Sequence, residues 1–316
     1  MNKTRYDDLG FRAGTGLFGA ILIALVAGIA FVLYTDSSVA IWKFGWGFWQ
    51  TEIWNPVSGE FGARPFIWGT LYSSGLALLI AGPVALGIAI YISELSPTWL
   101  RKPLVFLTEL LAAIPSIVYG LWGIFVLVPF VRQLEAGTPE WMRALPLFSG
   151  PPLGLGMLSA ALLLAIMIVP FSSSVAREVL KAVPQAQREG AYALGATRWE
   201  AIRMALFYAR TGIVGSIMLG FGRALGETMA VTMVIGNTPQ VSTSLYAPQY
   251  TMAAVIANEF AEAADDLHLN ALVEIGLVLF IITLGVNVLS RAFIWSLGRQ
   301  NQPQPSRATK PAPEAA

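Results

Sequence analysis

The sequence predicts an all-α, polytopic membrane protein with six transmembrane helices, and its composition is the first evidence for that class. Of 316 residues, 55% are hydrophobic and 12% are charged, whereas about a quarter of the residues in soluble domains are charged. Six apolar runs are each long enough to cross the hydrocarbon layer of a bilayer as a helix. The predicted spans are 11–34, 65–93, 103–131, 153–171, 212–236 and 271–295.

The same composition argues against several other classes of protein. The chain has no Cys and a single His, His268, so disulfides, iron–sulfur clusters and zinc sites are disfavoured, as is a membrane-embedded enzyme. We expect neither a metal nor a cofactor in this chain. The net charge of +1 argues against a nucleic-acid partner. The segments between the apolar runs are too short to fold as an independent domain.

The segments outside the predicted spans differ in character. Residues 1–10 form a short polar arm, and residues 35–64 are rich in Trp, which favours a position along the membrane–water boundary. Residues 237–270 contain four carboxylates but no Lys or Arg, and Glu274 lies near the start of the sixth span. The Pro-rich tail 299–316 lacks an apolar face, so we expect it to be disordered.

The distribution of Lys and Arg predicts the orientation of the chain. With six spans, fifteen of these residues fall on the side of the two termini and four on the opposite side, with Arg223 inside a span. Positive residues are retained on the cytoplasmic side of bacterial membranes. We therefore predict that both termini and the loop 172–211 are cytoplasmic.

The loop 172–211 is the most positively charged internal segment, with six Lys and Arg residues. The sequence of residues 184–194 predicts a helix that begins at Pro184, and Gly195 can end it in a left-handed turn. Thr197 and Glu200 then form a capping box, in which each side chain satisfies a free backbone N–H at a helix start. The loop is therefore predicted to fold as a short helix, a Gly turn and a second helix.

Three interpretations of this loop compete. A DNA-binding helix pair is disfavoured by the apolar flanks and near-neutral charge, whereas a loop held by lipid head groups stays open. The third interpretation rests on Glu189-Gly190-Ala191 followed by Gly195, which resembles the "EAA" loop of ABC-transporter permeases. That resemblance implies a coupling helix seated in a cleft of an ATPase subunit. The Ile-x-Leu-Pro that usually follows is absent, and Leu-Phe-Tyr at 206–208 stands near its place.

The fifth span contains two charged residues. Arg223 lies eleven residues into the span, about 16 Å along a helix, where a charge costs on the order of 3 kcal/mol. On a continuous helix Glu227 would lie one turn away on the same face and could pair with it. The small residues Gly222, Gly226 and Ala230 would form a strip that lets another helix approach closely.

Two roles for this pair remain open. It could be a structural ion pair that fixes helix packing. Alternatively it could line a pathway for an anion, because the planar fork of a guanidinium matches the oxygens of a tetrahedral oxyanion and Glu227 would hold it oriented. Glu109 in the third predicted span is a possible further member of such a pathway.

The motifs together resemble one transporter family. Gly-Arg-Ala-Leu-Gly-Glu-Thr-Met-Ala-Val-Thr at 222–232, Ile-Gly-Asn at 235–237, the run 114–120 and the loop 189–195 are similar to the permease subunits of the bacterial high-affinity phosphate ABC importer, within the binding-protein-dependent transport permease family. The similarity covers about residues 11–298. The permease PstA has a related Arg-x-x-Gly-Glu-Thr, but the residues that follow and the long first outer loop favour its companion permease.

The resemblance implies a type I ABC importer permease fold and the passage of phosphate past Arg223 and Glu227. The candidate pathway residues are Arg223, Glu227, Thr228, Glu109 and Ser116, and the candidate coupling residues are Glu189, Gly190, Ala191 and Gly195. The chain would be a non-catalytic subunit of the bacterial inner membrane that imports phosphate.

The resemblance also implies partners: a PstA-like second permease, a PstB-like ATPase dimer and a PstS-like periplasmic phosphate-binding protein. The sequence contains no Gly-x-x-x-x-Gly-Lys-Ser/Thr, so ATP and Mg²⁺ would bind to the ATPase chains. Two alternatives remain open, namely a permease for another oxyanion such as sulfate or molybdate, and a scaffold or sensor that transports nothing.

Overall fold

The computed structural model describes the backbone of residues 3–299 and the side chains of residues 11–296, and the secondary structure in this part is helical. Its α-helices are α1 (Lys3–Asp36), α2 (Ser38–Phe44), α3 (Gly47–Gln50), α4 (Arg64–Ile90), α5 (Thr98–Ala113), α6 (Ser116–Trp122), α7 (Val128–Ala136), α8 (Glu140–Arg143), α9 (Met157–Lys181), α10 (Gln185–Ala193), α11 (Arg198–Leu225), α12 (Met229–Val234), α13 (Met252–Glu259) and α14 (Asp266–Arg299). Two π-helical turns, Tyr91–Leu95 and Gly123–Leu127, continue α4 and α6. The all-α prediction is confirmed for the described residues.

Six helical segments of the described chain are long and apolar enough to cross a membrane, which confirms the predicted number. They are Phe11–Asp36, Arg64–Leu95, Ser116–Ala136, Met157–Lys181, Arg198–Leu225 and Asp266–Ser296. The fourth segment continues to Lys181, into the predicted loop. The predicted arm is also helical from Lys3. The tail that we expected to be disordered lies, beyond Arg299, outside the described residues.

Two of the predicted spans are not single helices. The third prediction, 103–131, is interrupted at Pro115, which has extended backbone angles (φ −59°, ψ 140°) and separates α5 from α6. Proline has no N–H to donate and disfavours a helical residue before it, so the chain cannot continue as one helix. The fifth prediction, 212–236, is also wrong as one helix, because α11 ends at Leu225 and residues 226–228 separate it from α12.

The helices divide into two compact units. The first unit comprises Ile114–Met167, Arg223–Leu284 and the described residues up to Ile80. One of its core clusters includes Phe48, Phe66, Tyr250, Met252, Leu272 and Ile275. In the Trp-rich segment, Trp42 and Trp46 are 86% and 82% exposed, whereas Phe48 is completely buried. The position of this segment along the membrane–water boundary stays a prediction.

The second unit comprises Ala81–Ala113, Ile168–Gly222 and the described residues from Gly285. Its core includes Ala89, Ala176, Leu180, Ala205, Ala209 and Ile213. Small residues allow these helices to approach closely: a methyl group placed on Gly212 of α11 would lie 2.5 Å from Val179 of α9. Close packing of small residues is the usual basis of helix association in membranes, because apolar burial drives little association there.

Candidate functional site

The non-helical break between α11 and α12 holds two of the predicted pathway residues and closely follows a third. Arg223 lies in the last turn of α11, and Glu227 and Thr228 belong to the break. The Glu227 carboxylate accepts a long hydrogen bond from the backbone N–H of Ala230, 3.4 Å from N to Oε1, at the start of α12. Glu227 therefore contributes to the N-terminal cap of α12, where free N–H groups need acceptors.

This break corrects two predictions about the charged pair. Arg223 and Glu227 do not lie one turn apart on a continuous helix, because α11 ends between them. For the same reason Gly222, Gly226 and Ala230 do not form one strip on a helix face. Glycine is a poor helix former and the Glu-Thr after Gly226 can cap a new helix, so the sequence contained a signal for the break.

Two short helices of the site, α6 and α12, are in backbone contact. A methyl group on Gly120 of α6 would lie 3.1 Å from Cα of Ala230 and 2.6 Å from Sδ of Met233, both on α12. A methyl group on Gly123 would lie 2.9 Å from Cγ1 of Val234. Only glycine leaves room for this approach. Because contacts advance along both helices in the same order, α6 and α12 run in the same direction.

The parallel arrangement brings the starts of α6 and α12 to the same end of the helix pair. Ser116 is the first residue of α6, and Tyr119 follows one turn later on the same side. The charge of Arg223 acts electrostatically on the Tyr119 hydroxyl group. The structure therefore groups four of the five predicted pathway residues, Ser116, Arg223, Glu227 and Thr228, at this end of the first unit. Tyr119 is a member that the prediction missed.

The chemistry of this group suits an oxyanion. Arg223 is exposed and supplies a full positive charge with several donors, while Ser116, Tyr119 and Glu227 are partly buried around it. The starts of two helices add positive partial charge, a small contribution because both helices are short. The Thr228 hydroxyl donates to the carbonyl of Gly226 at 3.3 Å and so lies against the backbone of the break.

Glu109, the fifth predicted pathway residue, has an ionic partner. It lies on α5 in the second unit, and its Oε1 accepts a hydrogen bond from Nη2 of Arg177 at 3.0 Å. The Arg177 side chain is only 4% exposed and also pairs with Glu178 at 2.9 Å. A buried guanidinium needs such partners, since an uncompensated charge in a membrane is costly. A place for Glu109 in the pathway stays a prediction.

The predicted coupling segment has the predicted local structure. Helix α10 follows Pro184 and ends before Gly195, which has a left-handed backbone with φ of 83°. The N–H of Ala196 donates to the carbonyl of Ala191 at 3.1 Å, and that of Gly195 to Tyr192 at 3.0 Å, which is a Schellman cap. Within the segment, Glu189 and Gly190 are exposed and Ala191 is buried.

The capping box at the start of α11 is also confirmed. The Glu200 carboxylate accepts hydrogen bonds from the N–H and the hydroxyl of Thr197, both at 2.8 Å. The Thr197 hydroxyl is in turn 3.4 Å from the N–H of Glu200. Helix α11 begins at Arg198, after the turn at Gly195, and then runs without interruption to Leu225, so Arg223 lies on it.

An ion pair that the sequence did not predict holds α10 in place. Nη2 of Arg188 donates to Oε1 of Glu94 at 2.7 Å and to the carbonyl of Leu180 at 2.9 Å, while Nη1 donates to Val183 at 2.9 Å. Arg198 donates to the carbonyl of Glu94 at 2.7 Å. Glu94, Val183 and Arg188 border a cavity of about 620 Å³ beside α10, which polar and apolar side chains line together. One guanidinium thus joins three segments of the second unit.

Comparison with known proteins shows the class to which the chain belongs. Residues 81–299 match the family described as "Binding-protein-dependent transport system inner membrane component", and the chain belongs to this family of transport subunits. Its relatives carry the name phosphate transport system permease protein PstC. The Mesorhizobium japonicum protein is 46% identical over 92% of this chain and 91% of its own length. The Haemophilus influenzae protein is 47% identical over 93% and 95%.

Solved structures support the fold. A chain of the inward-facing MetNI methionine ABC transporter aligns with a TM-score of 0.56 at 16% identity, covering 73% of this chain and 94% of that one. A bacterial ABC transporter that imports the acidic polysaccharide alginate aligns with a TM-score of 0.52 at 21% identity, covering 92% and 99%. The protein is therefore a multi-pass membrane protein with the fold of ABC-transporter permeases.

Proposed function

We propose that this chain is the permease subunit of an ATP-driven importer that moves inorganic phosphate from the periplasm to the cytoplasm. The observation that carries the proposal is the similarity to PstC proteins, which extends over more than nine-tenths of this chain and of those of M. japonicum and H. influenzae. The grouping of Arg223 with hydroxyl groups at the break between α11 and α12 supports the choice of an oxyanion as substrate.

In this proposal Arg223 binds the phosphate as it passes. Its guanidinium donates charge-assisted hydrogen bonds to two phosphate oxygens, and the hydroxyl groups of Ser116 and Tyr119 donate to others. Glu227 lies four residues from Arg223 in the sequence and limits the net positive charge of the site. An anion site without such a carboxylate would hold phosphate more tightly and release it more slowly, which would reduce flux.

We further propose that α10 is the coupling helix. Its exposed residues Glu189 and Gly190 would dock on a PstB-like ATPase dimer, which binds ATP and Mg²⁺, and the continuous helix α11 would carry the movement to Arg223. A PstA-like permease and a PstS-like phosphate-binding protein would complete the importer. Both termini and α10 would face the cytoplasm, in agreement with the distribution of Lys and Arg.

Uptake by the purified, reconstituted importer tests this function. Proteoliposomes that contain the four kinds of subunit, with ATP inside and binding protein outside, should accumulate radiolabelled phosphate and not sulfate or molybdate. Vesicles loaded with ADP provide the control for ATP dependence. Uptake of sulfate or molybdate in preference to phosphate would identify that oxyanion as the substrate instead of phosphate. No ATP-dependent uptake of any of the three by a stable complex would favour a scaffold or sensor.

A further inference from the structure

Glu274 is a buried carboxylate that the proposed transport mechanism does not use. It lies on α14 in the first unit and is 3% exposed. Its Oε2 atom has no hydrogen-bond partner among the described residues. Leaving a buried polar atom unsatisfied costs about 1–3 kcal/mol, and more for a charged group. An ionisable residue kept at such cost in a membrane helix indicates a function, with a partner that remains to be named.

A cavity of about 300 Å³ lies next to Glu274 in the same unit. Apart from this carboxylate its walls are mainly aromatic and aliphatic, and they include Tyr34, Trp46, Trp49, Val278 and Ile281. This volume is far above the roughly 30 Å³ that one water molecule occupies in the liquid. A cavity with one acidic group in an apolar lining fits an amphiphile that carries a hydrogen-bond donor at one end.

The residues that line the cavity indicate that it lies near the edge of the membrane. Glu274 is eight residues from the first residue of α14, about 12 Å along the helix axis. Trp46 and Trp49 belong to the Trp-rich segment, and Trp rings concentrate at the membrane–water boundary. Trp46 is 82% exposed, so the cavity opens beside a side chain that is free to contact lipid.

We propose that this cavity binds an aminophospholipid, whose primary ammonium group donates a hydrogen bond to Glu274. The charges are complementary, and a primary ammonium has three donors where a trimethylammonium has none. The indole N–H groups of Trp46 and Trp49 can donate to the lipid phosphate, and their rings attract the cation. The acyl chains would lie against Val278 and Ile281. The lipid would fasten the Trp-rich segment to α14.

Retention of lipid by the purified importer tests the proposal. The probes are phosphatidylethanolamine and phosphatidylcholine with identical acyl chains, and native mass spectrometry counts the molecules bound. We expect the wild-type complex to bind phosphatidylethanolamine about tenfold more tightly than phosphatidylcholine, as one charge-assisted hydrogen bond predicts. Glu274→Gln should remove this preference. Glu262→Gln, which removes a carboxylate from an exposed position in the same unit, should preserve it.

Three results would overturn the proposal. The first is equal retention of the two lipids by the wild-type complex, a comparison that needs no variant and therefore stands even if Glu274→Gln fails to assemble. The second is an undiminished preference in a stable Glu274→Gln complex. The third is binding of phosphatidylethanolamine to this chain alone but not to the assembled importer, because a side chain of the second permease would then fill the cavity.

Discussion

Replacing Gly120 with Ala tests the contact between α6 and α12 on which the candidate site depends. The added methyl group would lie 3.1 Å from Cα of Ala230, whereas carbon atoms normally approach to about 3.5–4.0 Å. The two helices must therefore separate by roughly 0.5–1 Å. Such overpacking costs about 1–3 kcal/mol, and the better helix propensity of Ala returns about 0.5–1 kcal/mol. The difference is a net loss of stability of up to about 2.5 kcal/mol.

Gly120→Ala should lower the rate of phosphate uptake more than its loss of stability alone would. A shift of 0.5–1 Å, as estimated from normal carbon contacts, lengthens a hydrogen bond of about 2.7 Å between a hydroxyl group of α6 and an anion held by Arg223 to roughly 3.2–3.7 Å, which weakens or breaks it. Loss of one hydrogen bond to a charged group corresponds to roughly a tenfold lower uptake rate or more. The assays are thermal unfolding of the purified complex and phosphate uptake by proteoliposomes.

Gly75→Ala is the matched control for this experiment. Gly75 lies within α4 in the same unit, and a methyl group there would meet no atom within 4 Å. This variant gains the same helix propensity without a clash, so it should unfold at or above the wild-type temperature and transport normally. Gly120→Ala with wild-type uptake and the stability of Gly75→Ala would refute the close contact and the site built on it.

Three further predictions concern coupling and orientation. Gly195→Val forces a β-branched residue into a left-handed backbone, at a cost of about 1–2 kcal/mol. The variant should insert normally into the membrane but show reduced binding or stimulation of the ATPase. Unchanged binding and stimulation would mean that the segment around α10 does not couple to the ATPase. Arg188→Gln should weaken ATPase binding or stimulation about tenfold, as expected for the loss of a charge-assisted hydrogen bond. In a double-mutant cycle with Glu94→Gln, the two losses should not be additive. Additive losses would show that the ion pair has no role in coupling. Reporter fusions after Ser149 and Leu267 should be periplasmic and a fusion after Arg188 cytoplasmic, and a cytoplasmic signal at Leu267 would reverse the topology.

The coupling segment could be predicted in detail from the sequence because its determinants are local. The left-handed Gly195 and the Thr197–Glu200 capping box involve residues within a few positions of each other, and the structure has both. The same holds for the number of spans, since an apolar run of about 20 residues has few structural options other than a membrane helix.

The interior of the spans was harder to predict. Apolar character predicts the third span as one unit, although it contains Pro115, which interrupts it in the structure. In the fifth span, residue spacing predicts a continuous helix face that includes Gly226 and Glu227, whereas in the structure α11 ends before Gly226 and Glu227 caps α12. Hydropathy reports whether a segment is apolar, and it does not report whether the backbone is continuous.

The ion pairs could not be predicted at all. Arg188 and Glu94 are 94 residues apart in the sequence, and Arg177 and Glu109 are 68 residues apart. Which charges meet over such separations depends on how the helices pack, and no local pattern encodes it. From the sequence, Arg177 and Arg188 can therefore be assigned only to the side of the membrane predicted to be cytoplasmic, and no partner can be named for Glu109.

Phosphate uptake by an Arg223→Gln importer tests the proposed role of this residue most directly. We expect the assembled complex to persist in the membrane and to lose ATP-driven uptake, because the anion loses the charge-assisted hydrogen-bond donors of the guanidinium. Arg291→Gln, which removes a cation from α14, should transport normally. Wild-type uptake by Arg223→Gln, or by the double variant Arg223→Gln with Glu227→Gln, would contradict a pathway through this pair and leave it a structural element only.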